Sequence, residues 1–137
     1  MYNGRNYVSS AAGAAALFRS EIGIVGEREG VFVLSLGASG EVLSKPVLVS
    51  IGTQNGTAEV QLGDVFSEAY KADAKAIIVA HNHPSGDPTP SKADIAFTAA
   101  LMDMCDCLGN IQFLDHLIIG SPDSANGLGF VSIAEME

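Results

Sequence analysis

Residues 76–80, AIIVA, form a short and fully apolar run that stops at the polar, turn-rich stretch HNHPSGDPTPSKAD. A run of this kind is typical of a central strand buried inside a sheet. Strand-like and helix-like patterns alternate on both sides of it along the chain. We therefore expect a single α/β domain in which helices pack on a mixed β-sheet.

The remaining elements follow from local patterns. Ser9 or Ser10 is predicted to cap a first helix, and Asp64 is a candidate N-cap for a second helix. The two segments around GASG read as a hairpin, with Pro46 placing its second strand at an edge or a bulge. The predicted strands are 31–36, 41–50, 76–80, 111–120 and 129–133, and the predicted helices are 10–20, 64–72 and 91–108.

Charge restricts the classes of partner. The chain has 137 residues and a formal charge of -9, from 16 acidic and 7 basic side chains. That field repels phosphate backbones and anionic lipid headgroups, so we expect neither nucleic acid nor a membrane as a partner. No apolar run has the length of a membrane span, and two cysteines do not indicate a disulfide-built secreted fold. The sequence thus predicts a cytoplasmic protein.

Two of the three histidines stand one residue apart at the end of the buried strand. In an extended segment, His81 and His83 point the same way and Asn82 points away, where it is expected to brace the loop. Neutral imidazole is a common metal ligand. Asp94, in the first turn of the next helix, would be a third ligand. Three protein ligands that leave a fourth position for water are typical of a catalytic zinc site.

A second interpretation of the same residues needs no metal. Ser91 and Asp94 have the spacing of a capping box, which could serve only to begin the helix. The two interpretations are compatible, since a capping residue can also bind a metal.

The motif His81-X-His83, seven residues, Ser91, two residues, Asp94 resembles that of the JAMM (MPN+) zinc metallopeptidases at every position. The string HNHPSGDPTPSKAD, with LDHLIIG at 114–120, is similar to the RadC-like branch of this family. The resemblance begins at about Glu29. It implies an N-terminal helix and connecting loop over 1–28 and a JAB/MPN-like domain over 29–137, related to the cytidine-deaminase-like layer architecture.

The resemblance also implies roles for the motif residues. His81, His83 and Asp94 would hold one zinc ion, and Ser91 would hydrogen-bond the developing oxyanion. Glu29 would be the general base for a zinc-activated water, with Glu27 and Glu41 as alternatives. The implied reaction is hydrolysis of an amide bond in a protein or peptide-like substrate, by a metallopeptidase or isopeptidase.

Other functions stay open at this point. MPN-type folds also serve as binding or assembly modules, and the family name suggests a link to DNA repair. Longer RadC-like proteins carry a segment resembling a DNA-binding helix-hairpin-helix, for which this chain has no room, and the negative charge also argues against DNA. The metal could also serve a nuclease. His116, in the predicted strand 111–120, is expected to be a structural residue or a support for the site.

Overall fold

A computed structural model of the protein describes residues 7–52 and 62–136. The strands are β1 (Gly30–Leu36), β2 (Val47–Ile51), β3 (Ala76–Asn82), β4 (Gln112–Ile119) and β5 (Phe130–Ser132). The helices are α1 (Ala11–Ile22), α2 (Leu62–Lys71), α3 (Lys92–Leu108) and the short α4 (Ser124–Gly127), with 3-10 turns at Gly23–Val25 and Ala134–Met136. Residues 1–6 of the predicted N-terminal segment and residue 137 lie outside the described part.

The five strands form one mixed sheet in the order β2-β1-β3-β4-β5. The β1–β2, β1–β3 and β4–β5 pairs are antiparallel, whereas β3 and β4 are parallel. The parallel pair requires a crossover, which α3 supplies. The predicted class, an α/β domain with a mixed sheet and flanking helices, is confirmed, with the AIIVA run at the centre.

Helices cover both faces of the sheet. On one face, α1 buries Phe18 against Phe32 and Leu34 of β1. On the other face, α2 and α3 pack against the alternate residues of β1 and β3, among them Val33 and Val79. Since side chains alternate along a strand, His81 lies on the same face as Val79, which is the face that α3 covers.

Two sequence predictions of element boundaries need correction. Asp64 is not an N-cap, because α2 already includes Leu62. Leu62 packs against the same core cluster as Val65 and Phe66, so the apolar stripe of the helix begins before the acidic residue. The second hairpin strand begins only at Val47, because Pro46 has no N–H to donate to the ladder.

Other boundaries agree with the sequence. Ser10 caps α1 by accepting a hydrogen bond from the backbone N–H of Gly13. Strand β2 is an edge strand, as Pro46 predicted. Helix α3 ends at Gly109, whose φ of 75° gives a left-handed C-cap that glycine adopts without strain.

Within residues 7–52 and 62–136, no helix has both the length and the apolar character that crossing a membrane requires.

Candidate metal centre

Three chain segments meet at one end of the sheet. Strand β1 begins at Gly30 where the antiparallel β3 ends, with Val31 paired to His81. Helix α3 begins beside the end of β3 after the turn that follows His83. This arrangement brings together Glu29 before β1, His81 and His83 at the end of β3, and Asp94 in the first turn of α3.

The nitrogen and oxygen atoms of the motif residues converge. His81 Nε2 and His83 Nε2 are 3.2 Å apart. The Asp94 carboxylate oxygens lie 2.8 Å from His81 Nε2 and 3.2 Å from His83 Nε2. For ligands at about 2.0 Å from a tetrahedral zinc ion, neighbouring ligand atoms are about 3.3 Å apart. The spacing of these three side chains therefore fits a zinc ion.

Glu29 belongs to the same cluster. One carboxylate oxygen of Glu29 and one ring nitrogen from each of His81 and His83 lie within 4.8 Å of one another, a set that could hold a metal ion. Asp94 also contacts both histidines, so two carboxylates face the pair. The geometry allows Glu29 to be a ligand or to lie beside the metal as a base.

Asp94 combines the two roles that the sequence left open. Its Oδ2 accepts a hydrogen bond of 2.7 Å from the backbone N–H of Ser91, and its own N–H donates to Ser91 Oγ at 3.1 Å. This is a complete capping box. The same carboxylate contacts both histidines, and its position at the helix N-terminus favours negative charge. The cap thus fixes Asp94 where it faces the histidine pair.

Asn82 holds the backbone on both sides of Glu29. Its Nδ2 donates to the carbonyl of Arg28 at 2.9 Å, and its Oδ1 accepts from the N–H of Gly30 at 2.8 Å. The side chain is buried. The residue between the two histidines therefore positions the segment that carries the glutamate, which is more specific than the predicted brace.

We expect Asn82→Asp to destabilise the protein by about 2 kcal/mol, because the carboxylate cannot donate to the Arg28 carbonyl and leaves two buried oxygens in contact. The free energy of unfolding in urea measures this loss. Asn110→Asp makes the same exchange at an exposed position and is expected to change stability by less than about 0.5 kcal/mol. Equal effects of the two substitutions would contradict the role of the Asn82 hydrogen bonds in stabilising this segment.

The alternative glutamates lie elsewhere. Glu41 follows the turn after β1, so the seven residues of that strand separate it from the site. Its Oε1 accepts a hydrogen bond from the N–H of Ser39. Glu27 is exposed in the turn before β1. Of the three candidates, the structure places Glu29 in the cluster with the histidines.

His83 is held by the turn that follows it. Its Nδ1 lies 2.9 Å from the backbone carbonyl of Asp87, and a carbonyl only accepts, so this nitrogen carries the proton. In the neutral ring, Nε2 is then the unprotonated nitrogen that faces Asp94. The turn requires Gly86, whose φ is 90°. The PSG part of the motif thus selects the tautomer of His83 that a metal needs.

The pKa values of His83 and Asp94 shift in the directions expected for a contact between a protonated imidazole and a carboxylate. The hydrogen bond with Asp94 raises the pKa of His83 above its ordinary value, and burial opposes this. Burial alone would raise the pKa of Asp94, but hydrogen bonds from His81 and His83 outweigh it and hold that pKa well below the usual range. The site therefore attracts positive charge, as protons or as a metal ion.

His116 contacts one of the motif histidines, which agrees with the second of its two predicted roles, a support for the site. It is fully buried, and its Nε2 lies 2.9 Å from His81 Nδ1. Burial lowers the pKa of His116 to about 3, so the ring is neutral near pH 7. The parallel pairing of β3 with β4 sets Val79, two residues before His81 on β3, opposite His116. That pairing cannot be read from the sequence.

Asp115, the neighbour of His116 on β4, has different side-chain partners. Its carboxylate accepts hydrogen bonds from Ser132 Oγ at 2.5 Å and from the backbone N–H of Ala134 at 3.1 Å. It fastens the end of the chain to β4 and does not contact the histidine cluster.

Comparison with known proteins identifies relatives of the chain. The RadC-like JAB domain family matches residues 8–137, a range that includes α1 as well as the predicted domain over 29–137. A UPF0758 protein of Carboxydothermus hydrogenoformans is 48% identical over 94 residues, which are 69% of this chain and 40% of that protein.

A UPF0758 protein of Bacillus pumilus is 43% identical over 108 residues, 79% of this chain and 44% of that protein. A UPF0758 protein of Bacillus cereus is 38% identical over 119 residues, 87% of this chain and 51% of that protein. The chain thus spans about half the length of these curated relatives, and their names state no activity.

Proposed function

The chain belongs to the RadC-like JAB domain family, and from this membership and the geometry of the histidine cluster we propose that it is a zinc-dependent hydrolase of amide bonds. The observation that carries the proposal is the convergence of the Nε2 atoms of His81 and His83 and the carboxylate oxygens of Asp94, at distances of 2.8 to 3.2 Å from one another. A second carboxylate, that of Glu29, lies beside them. A capped turn alone would not require both histidines and a second acid at this place.

We assign the metal to His81, His83 and Asp94. Two imidazoles and one carboxylate suit zinc, and three protein ligands are the usual number in a catalytic zinc site. A bound zinc ion would supply Lewis acidity, which lowers the pKa of water and polarises an amide carbonyl. Side chains of the protein would carry out the other steps.

Glu29 is proposed as the general base. Its carboxylate lies in the histidine cluster, and its backbone is fixed on both sides by Asn82. From this position it would take a proton from the attacking water and pass it to the leaving amine.

Ser91 is proposed to stabilise the oxyanion. Its Oγ accepts a hydrogen bond from Asp94 N–H, and a hydroxyl that accepts still carries its own proton to donate. Ser91 is exposed at the N-cap of α3. Donation to the developing negative charge would add electrostatic stabilisation.

The proposed substrate is an amide in a protein tail, a conjugate or a peptide. The side chain of His83 is 16% exposed, whereas that of His81 is 4% exposed. Substrate would therefore approach from the His83 and Ser91 side. The acidic charge of the chain argues against a nucleic acid substrate.

Hydrolysis in heavy-oxygen water tests this function. The tag-free protein, loaded with zinc, is incubated with a pool of peptides from digested denatured protein, and new carboxyl ends are searched by mass spectrometry for the heavy oxygen. We expect labelled products that disappear after chelation and return with zinc. Zinc binding without any labelled product would instead favour a binding or assembly module.

A further inference from the structure

A buried row of hydrogen bonds leads away from the histidine cluster into the core. His81 Nδ1 and His116 Nε2 are 2.9 Å apart, and His116 Nδ1 and Thr98 Oγ1 are 2.7 Å apart. Thr98 Oγ1 also donates to the backbone carbonyl of Asp94 at 2.9 Å. The row therefore begins at one proposed ligand, His81, and ends on the backbone of another, Asp94.

Each side chain in the row is buried. The exposed fractions are 3% for His81, 0% for His116 and 7% for Thr98. Among the described residues, no buried side-chain nitrogen or oxygen lacks a hydrogen-bond partner. Loss of one member would leave its neighbour without a hydrogen-bond partner in the core, which is costly.

A metal on His81 Nε2 permits only one arrangement of protons in this row. His81 must then carry its proton on Nδ1 and donate it to His116 Nε2. His116 must carry its own proton on Nδ1 and donate it to Thr98 Oγ1. The single hydroxyl proton of Thr98 then goes to the Asp94 carbonyl, which only accepts. Every donor has an acceptor in this arrangement.

Without a metal, the reverse arrangement is also complete. Thr98 would donate to His116 Nδ1, His116 Nε2 to His81 Nδ1, and His81 Nε2 to the Asp94 carboxylate. The two arrangements differ in the nitrogen that carries the proton on each ring. In the first arrangement the hydroxyl of Thr98 donates to the Asp94 carbonyl, whereas in the reverse arrangement it donates to His116 Nδ1.

We propose that His116 and Thr98 are positioning residues that hold His81 as the tautomer whose Nε2 binds the metal. This rests on the proposed metal site and adds residues to it that lie outside the motif. A partner on the far nitrogen of a metal-binding histidine fixes the orientation of the ring and raises its basicity, and losing such a partner typically costs about 10- to 100-fold in metal affinity. Asp94 is tied to the same row, so the row also sets the spacing of two ligands.

Two pairs of variants test the proposal by zinc affinity, measured in competition with a chromophoric chelator. Thr98→Val keeps the shape but removes the hydroxyl, and we expect about a 10-fold loss of affinity. Thr98→Ser keeps the hydroxyl and is expected to recover most of it. Likewise, His116→Leu is expected to weaken zinc binding by about 10- to 100-fold, and His116→Gln, with an acceptor facing His81, to lose less.

A spectroscopic readout separates positioning from packing. In the zinc-loaded wild type, nitrogen NMR of the imidazoles is expected to show the proton of His116 on Nδ1 and an unprotonated Nε2. Thermal unfolding of the metal-free variants reports any loss of packing. If His116→Leu does not fold, the threonine pair and the NMR spectrum still decide.

The outcomes are distinct. A His116 proton on Nε2 in the zinc-loaded protein, or wild-type zinc affinity in Thr98→Val and His116→Leu, would overturn the positioning role while leaving the metal site intact. A wild type that binds no zinc would overturn the proposed function, and the positioning role with it.

Discussion

Glu29→Gln is expected to lower the rate of amide hydrolysis by about 10²- to 10⁴-fold, the usual contribution of a general base. The amide of glutamine has nearly the same shape but cannot take a proton from water. Zinc content should stay at the wild-type level, because the proposed ligands are His81, His83 and Asp94. Labelled product in heavy-oxygen water and zinc per chain, measured on the same sample, provide both numbers.

Glu27→Gln is the matched control for this variant. It removes the same charge two residues earlier, at an exposed position, and should leave the rate and the zinc content unchanged. Loss of zinc in Glu29→Gln would make Glu29 a ligand, which its place in the histidine cluster allows. An unchanged rate would remove Glu29 from the mechanism.

Loss of a residue that only hydrogen-bonds a metal ligand typically costs about 10- to 100-fold in metal affinity, and loss of a ligand itself should cost more. Asp94→Asn is therefore expected to weaken zinc binding by at least about 100-fold. This corresponds to about 2.7 kcal/mol. Asparagine keeps an oxygen for the Ser91 N–H, so the start of α3 should persist. Zinc competition measures the affinity, and circular dichroism of the metal-free protein reports the helix.

Asp103→Asn controls for the lost charge, because Asp103 is exposed on the same helix. It should bind zinc as the wild type does. Equal affinities of the Asp94 and Asp103 variants would return Asp94 to a purely capping role.

Much of the site could be predicted because its residues are close in sequence. The AIIVA run, the His-X-His alternation and the cap spacing each depend on local geometry. They correctly predicted a buried strand that ends at two histidines, followed by a helix whose N-cap is Ser91. In the structure, the carboxylate of Asp94 contacts both of those histidines.

What sequence reasoning missed depends on how strands pair. Asn82 reaches Arg28 and Gly30 only because β1 runs antiparallel to β3. His116 meets His81 only because β4 lies parallel on the other side of β3. Neither pairing leaves a local pattern, so the sequence indicated a loop brace for Asn82 and left His116 without a named partner.

The start of α2 shows a different limit. Asp64 has the chemistry of an N-cap, yet Leu62 already belongs to the helix. Burial of Leu62 beside Val65 and Phe66 extends the helix towards its N-terminus. A cap preference of about 1 kcal/mol does not outweigh an apolar residue that packs against the core.

Zinc per chain in the tag-free wild type and in the His81→Ala, His83→Ala double variant, measured by inductively coupled plasma mass spectrometry after removal of loose metal, is the most direct test of the metal centre. We expect close to one zinc ion per chain in the wild type and none in the variant. A wild type without tightly bound metal, or a variant that retains it, would contradict the assignment of a metal centre to these histidines.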